Sequence, residues 1–438
     1  MAADSNDRRR KQWRASIAST IGSSIEWYDF SIYGTVAVLV FPHLFFPDNS
    51  PATALLASFS TIFVGFLARP IGGAIFGHYG DRIGRKSTLI LTILLMGIST
   101  ILIGCLPTYG TLGPTAGILL VLLRFVQGIG VGGEWAGSVL LSMEWHEGER
   151  RGFFASLPHL GVPIGLVTSI GAIKLSSSLS GDDFLTVGWR YPFLISAFLL
   201  SIGIFMRLRV QEPPAFEKTL RENRVEAAPV LEAIKTEWPN IILVALARLA
   251  EQGLSYVLQV FIVFYCTTAL DMSRDFVLNA ILAAAFVSLV TVPLFGWLSD
   301  LLGRRATYIA GCLLVSVLAV PYFLVLDTKM PILVLGAIVG SMIVRDMMYG
   351  PQAAFVTENF PARIRYSASS LGYQGASLIA GGPAPLISLW LYQRFHTGLA
   401  VAAYLIVCGI GSSFAAFFLG KAKVARSERA LEKFDTAA

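Results

Sequence analysis

The sequence predicts an all-α membrane protein of twelve spanning helices in two six-helix pseudo-repeats, and three observations predict it. Of 438 residues, 55% are hydrophobic and 14% charged, with a mean hydropathy of +0.66. An ordinary soluble chain carries about 25% charged residues. Apolar runs close to the roughly 20 residues needed to cross a bilayer recur along the whole length and leave no room for a soluble domain. Finally, the loop sequence GHYGDRIGRK, beginning at Gly77, has a partner half a chain later in GWLSDLLGRR, beginning at Gly296.

Breaks at proline, glycine and charge clusters place the spans near 17–41, 53–78, 88–106, 115–142, 152–175, 190–208, 240–269, 276–298, 306–326, 331–357, 366–392 and 398–420. The basic stretch RRRKQWR (8–14) runs directly into a full-length first span, so no cleavable signal is expected. Further basic residues gather at Arg82, Arg85 and Lys86, at Arg150 and Arg151, through 207–235, at Arg304 and Arg305, at Arg363 and Arg365, and from Lys421 onward. These are alternate loops, which the positive-inside rule assigns to the cytoplasm together with both termini. The net charge of +6 therefore reports orientation, not nucleic acid. The polar stretch 211–238 reads as a cytoplasmic linker between a half at 1–210 and a half at 239–438. A second internal match supports the repeat: Glu144 precedes Arg151 by seven residues, and Glu358 precedes Arg365 by seven. Transporters built from such repeats hold substrate near the bilayer midplane between them. The four cysteines have neither zinc nor disulfide spacing and read as packing residues.

The intramembrane charges sort by helix. Spans three, six, nine and twelve have none in their interiors, whereas spans one, four, seven and ten carry Glu26 and Asp29, Arg124 and Glu134, Arg248 and Glu251, and Arg345 and Asp346. Each such charge costs about 2.5–3.5 kcal/mol at mid-membrane even on the lenient scale, so it needs a reason. Residues three, four and seven apart share a helix face. Glu26, Asp29 and Tyr33 form one such stripe, as do Arg124, Gln127 and Glu134, and Arg248, Glu251, Ser255 and Gln259. Such stripes are expected to face the bundle interior or an aqueous path. Carboxyl groups there can exchange protons as their surroundings alternate between wet and dry, and arginines can grip a carboxylate with a bidentate fork. The other reading, internal ion pairs that fix packing, stays open for all of them. His159, Tyr33, Gln127, Tyr349 and Gln352 can orient a ligand or merely join helices. Arg69, near the expected cytoplasmic end of span two, reads equally as an interfacial anchor and as a ligand.

The loop GHYGDRIGRK resembles the signature loop of the major facilitator superfamily, and RFVQGIGVGG (124–133) resembles its fourth-helix motif. EWYDFSIYG, FLARPIGGAIFGHYGDRIGRK, GGEWAGS, MMYGPQAAF and RYSASSLGYQ make the chain similar to the metabolite:proton symporter family. Members of that family carry shikimate, α-ketoglutarate, citrate, other organic acids, or proline and betaine. The resemblance implies the major facilitator fold, with spans one, four, seven and ten lining a central cavity. It also implies proton-coupled import of a small carboxylate by alternating access across a bacterial cytoplasmic (inner) membrane. On this reading the partners are the solute, protons and the bilayer, with no cofactor, metal, nucleic acid, obligate protein partner or enzymatic activity. Glu26, Asp29 and Glu134 are the candidates for proton coupling. Arg124 is the first candidate for the carboxylate, helped by Arg248 or Arg345 with their neighbours Glu251 and Asp346. Gly77, Asp81, Arg82, Gly84, Arg85 and Lys86 are expected to work with Glu144 as a cytoplasmic latch, which Asp300, Arg304 and Glu358 repeat in the second half. His159, Ser369 and the Arg345–Asp346 pair depart from the family pattern and leave the solute unnamed. An osmolyte carrier, a transport-like nutrient receptor and an intramembrane enzyme are the rival readings. The first wants an extended C-terminal coiled coil and the second an appended signalling segment, while the third lacks a nucleophile with base and orienter.

Overall fold

The computed structural model describes residues 2–145, 150–213, 216–217 and 226–435, with backbone alone for 2–9, 51–52 and 420–435. Residues 214–215 and 218–225 of the expected linker and the side chains of the basic tail lie outside the described residues. The described chain is helical, with no strand among its elements. The long helices are α1 (Ala2–Leu39), α2 (Pro51–Arg82), α3 (Arg85–Cys105), α4 (Thr115–Met143), α5 (Gly161–Ser180) and α6 (Arg190–Leu208). They continue as α7 (Pro229–Ala269, jointed at Arg248), α8 (Arg274–Leu302), α9 (Arg304–Asp327), α10 (Pro331–Thr357), α11 (Arg365–Phe395, with a π-helical turn at Ser377–Gly381) and α12 (Gly398–Asp435).

Among the described residues, ten stretches are long and apolar enough to cross a membrane on composition alone. The other two of the twelve are α1, diluted by Glu26, Asp29 and its basic start, and α11, interrupted by its π turn. Leu56, Phe198, Val290, Val317, Val407 and Phe414 all stand more than three-fifths exposed, as side chains bathed by lipid must.

Chain punctuation follows local chemistry. Ser50 caps α2, its hydroxyl accepting from Thr53 N, and Pro51 opens the first turn. Gly84 (φ +110°) and Gly303 (φ +91°) make the tight α2–α3 and α8–α9 corners in a backbone region closed to other residues.

Two compact units emerge, Met1–Glu147 with Leu157–Val230, and Gly148–Ser156 with Leu231–Ala438. In the first, α4 packs on α2 and α3, α3 on α6 and α1 on α5. In the second, α10 packs on α8 and α9, α9 on α12 and α7 on α11. Helices six apart in order thus find equivalent partners. The short helix Arg151–Ser156 belongs with the second unit, where it packs on α8 and α10.

Candidate functional site

In the first unit, the α2–α4 contact positions the functional side chains. A Cβ at Gly132 would lie 2.1 Å from the Arg69 carbonyl oxygen, and one at Gly128 would lie 2.4 Å from that of Gly65. Only glycine admits the two backbones this close, so Arg69 and Arg124 project from a locked helix pair. Arg124 is buried, with its guanidinium carbon 4.1 Å from the Tyr33 ring centroid and 5.5 Å from that of Phe30. It donates to Gln127 Oε1, and Gln127 Nε2 donates to Thr100 Oγ1 at 2.7 Å. Thr100 Oγ1 in turn lies 2.8 Å from Asp29 Oδ2, while Ser196 donates to Asp29 Oδ1 at 2.7 Å. One hydrogen-bonded chain therefore joins a candidate carboxylate ligand to a candidate proton carrier.

The chain accommodates either protonation state of Asp29. Thr100 has one hydroxyl proton and a second acceptor at 3.0 Å, the Met96 carbonyl oxygen. With Asp29 ionised, Thr100 donates to it. With Asp29 protonated, Asp29 donates to Thr100 and Thr100 turns to Met96, leaving every group satisfied.

Asp29 and Glu26 part company. Asp29 is only 2% exposed, among α1, α3 and α6, whereas Glu26 is partly exposed and makes no hydrogen bond or ion pair among the described residues. At 3.6 residues per turn, two positions three apart are about 60° apart around the axis, enough for one to turn inward while the other does not. Tyr33 is fully buried and donates to Thr61 Oγ1. Glu134 is fully buried as well, accepting from Thr92 and Ser138 at 2.8 Å each and paired with Arg207 from the last turn of α6. His159 sits in the 3₁₀ turn Leu157–Leu160 ahead of α5, where its Nε2 accepts from Trp135 Nε1 at 2.9 Å. That bond puts the ring proton on Nδ1 of a neutral imidazole.

At the α2–α3 corner of the first unit, Arg85 reaches Asp81 at 3.5 Å and Glu144 at 3.3 Å, all three nearly inaccessible. Arg82, grouped with it in the sequence, instead points outward and meets His78 at 3.3 Å. Gly77 is buried, and Lys86 Nζ donates to the Leu208 carbonyl at 2.9 Å. Glu212, from the segment expected to be a linker, accepts from the backbone N–H groups of Arg85 and Lys86 and so caps α3. Burial pushes the Glu212 carboxyl above the usual carboxylate range against the pull of those two donors. Phe216 lies 4.7 Å beneath the Arg85 guanidinium.

The second unit repeats this charge cluster with more exposure. Arg304 reaches Asp300 at 3.2 Å and Glu358 at 3.0 Å, and Asp300 also accepts from Gly152 N and Phe153 N. Its intramembrane charges are paired internally. Arg248 lies 3.1 Å from Glu251 and stacks over the Tyr373 ring, and Glu251 also accepts from Gln252, Ser255 and Gln352. Arg345 binds Asp346, which accepts from Thr291 as well, and its guanidinium lies 4.5 Å from the Tyr349 ring centroid. Sequence reasoning missed Arg207 and Glu212, both absorbed into a polar stretch read as loop, and Thr100, Ser196 and Thr291, which carry no charge to mark them.

The family model of the Major Facilitator Superfamily matches residues 19–385. The chain belongs to the major facilitator superfamily. It is 40% identical over 414 residues to the shikimate transporter of Escherichia coli K12, covering 93% of this chain and 94% of that one. It is also 40% identical over 395 residues to the inner membrane metabolite transport protein YhjE of the same organism, covering 89% and 90% of the two chains. The proline/betaine transporter of that strain matches at 32% over 407 residues, covering 91% of this chain and 81% of the relative. This relatedness is that of a metabolite:proton symporter-type permease. Among solved structures, the proton:xylose symporter XylE with bound 6-bromo-6-deoxy-D-glucose superposes with a TM-score of 0.75 at 19% identity, over 94% of this chain and 96% of that one. The fold is therefore the major facilitator fold. The protein is a multi-pass membrane transporter of small molecules, not an enzyme.

Proposed function

We propose that this transporter imports a small organic acid together with protons across a bacterial cytoplasmic membrane, with both termini in the cytoplasm, by alternating access. The observation that carries this reading is the continuous path Arg124–Gln127–Thr100–Asp29 in the first unit. Arg124 offers a fixed cation to a carboxylate, with Tyr33 and Phe30 lining its approach. A substrate carboxylate at Arg124 adds a second anion beside one cation in a poorly hydrated site. Protonation of Asp29 relieves that repulsion, so solute and proton bind as a neutral set. Thr100 provides the hydrogen bonds that keep Asp29 satisfied before and after, so the switch leaves no buried polar group stranded. Identity of 40% to a shikimate transporter supports an organic acid over an osmolyte.

The test is external pH in a weakly buffered suspension of expressing cells pulsed with shikimate, α-ketoglutarate, citrate, benzoate or glycine betaine. Alkalinisation that needs both one acid and the intact protein is the expected result. Alkalinisation with glycine betaine alone would transfer the assignment to osmolyte transport, and none with any solute would remove proton symport.

A further inference from the structure

Two opposite charges in the first unit are used by nothing described so far. Arg69 lies on α2, which runs on to Arg82, so it is 13 residues, or about 20 Å, from the cytoplasmic end of its helix. That depth excludes an interfacial anchor. Its guanidinium carbon sits 4.4 Å from the Phe66 ring centroid and 5.2 Å from that of Phe30; the residue is only 8% exposed and has no carboxylate or hydrogen-bond partner among the described residues. Glu26 on α1 is equally unpartnered, and Arg69 is one of the charges that act on it. A buried cation without an anion is costly, and aromatic faces recover only about 1–2 kcal/mol. The arrangement wants an anion that can come and go.

We infer that Arg69 is a second carboxylate subsite of this transporter, distinct from Arg124, and that Glu26 is the protein's own anion in its field, neutralised by a proton when a substrate carboxylate binds. The inference rests on the organic-acid symport reading above. Phe30 joins the subsites: its ring lies 5.2 Å from the Arg69 guanidinium carbon and 5.5 Å from that of Arg124, so the two cations are at most about 11 Å apart. Arg69 is held in place by the locked α2–α4 contact at Gly132 and by the two rings, so an incoming carboxylate meets a cation that need not reorganise. Atoms and charge balance: the carboxylate enters Arg69's field as Glu26 accepts one proton from water, and on release Glu26 returns the proton.

The other charges facing Glu26 do not replace this role. Asp29 on the same helix is held by Thr100 and Ser196, while Glu134 on α4 and Arg207 on α6 pair with each other. His159, in the turn packed on α1, is bonded to Trp135, and α3 turns hydroxyls rather than charges toward α1. Arg69 is the one cation of this set without a carboxylate of its own.

The test uses the full-length protein in proteoliposomes, measuring exchange of shikimate, α-ketoglutarate and citrate between about pH 5.5 and 8. In wild type, KM is expected to rise with pH because ionised Glu26 competes with the solute. Glu26→Gln should flatten that part of the rise and lower KM at high pH by roughly tenfold while exchange persists. Arg69→Gln should raise KM by roughly tenfold or more at low pH, with Arg69→Lys intermediate, because an ammonium keeps the charge but loses the planar fork. An unchanged pH profile in Glu26→Gln, or a wild-type KM in an Arg69→Gln protein that still exchanges, would overturn the inference and leave the transport reading intact. Wild-type protein that exchanges none of the three acids would instead sink the reading on which the inference rests.

Discussion

The two six-helix units have matching skeletons but treat their buried charges oppositely. The second unit settles its own: Arg248 with Glu251, and Arg345 with Asp346, each carboxylate further satisfied by neutral donors. Within its spans the first unit pairs Glu134 with Arg207, gives Asp29 a hydroxyl shell that suits both of its protonation states, and leaves Glu26 and Arg69 without a hydrogen bond or ion pair among the described residues. Charges that are already paired hold a structure, and charges that are not can respond to a proton or a solute. On this asymmetry we propose that the first unit handles ions while the polar cluster of the second holds structure.

The sharpest way to break this comparison is to remove one carboxylate from each unit. Glu251→Ala strands the fully buried Arg248, and breaking a buried pair in this way costs about 3–5 kcal/mol. The expected outcome is a drop of several degrees in the thermal unfolding temperature of the purified protein. Replacing both partners, as in Arg248→Met with Glu251→Leu, should recover much of the loss. Glu26→Gln should lower it far less, because Glu26 makes no hydrogen bond or ion pair among the described residues. Comparable losses in the two single variants would abolish the distinction between the units.

Within the first unit, Asp29→Asn keeps the size and most of the hydrogen bonds but cannot carry a proton. Concentrative uptake should fall to background while solute exchange persists. Joint loss of both activities would make Asp29 a structural group like Glu134. Arg124→Lys should raise KM for the transported acid by roughly tenfold, because the ammonium cannot reproduce the bidentate fork or its stacking on Tyr33. Unchanged affinity would remove Arg124 from the site.

Much of this asymmetry was hidden from the sequence for physical reasons. The spans, the repeat and the charge-bearing helices were legible because a charge among twenty apolar residues is conspicuous, and the Arg124–Gln127 contact follows from helical spacing alone. Asp29's inward turn was not legible, since it depends on Thr100 and Ser196, unremarkable residues on helices that looked purely apolar. Arg207 was read as loop charge reporting topology and Glu212 as part of a linker, although one completes Glu134 and the other caps α3. Arg82 and Arg85 are chemically identical in the motif. The backbone turn at Gly84 sends one to Glu144 and the other to solvent. Arg69 was misplaced because α2 runs four residues beyond its expected end, which carries the arginine deeper into the helix.

The repeated corner offers the finest discrimination between the units. Gly84 and Gly303 both hold a positive φ, so alanine at either should cost about 1–2 kcal/mol in backbone strain. Beyond that the two sites differ. A Cβ at Gly303 meets nothing, whereas one at Gly84 would come within 2.8 Å of the Glu212 carboxylate, which can yield only by giving up its bonds to Arg85 N and Lys86 N. Hydrogen bonds to a charged group are worth roughly 1.5–3 kcal/mol, so Gly84→Ala should lower the unfolding temperature more than Gly303→Ala. Because the excess acts through Glu212, combining Gly84→Ala with Glu212→Ala should be less than additive, whereas Gly303→Ala with Glu212→Ala should simply add. Equal penalties at the two glycines would mean that Glu212 does not brace the first corner, and that the two units end alike at these loops whatever divides them within the membrane.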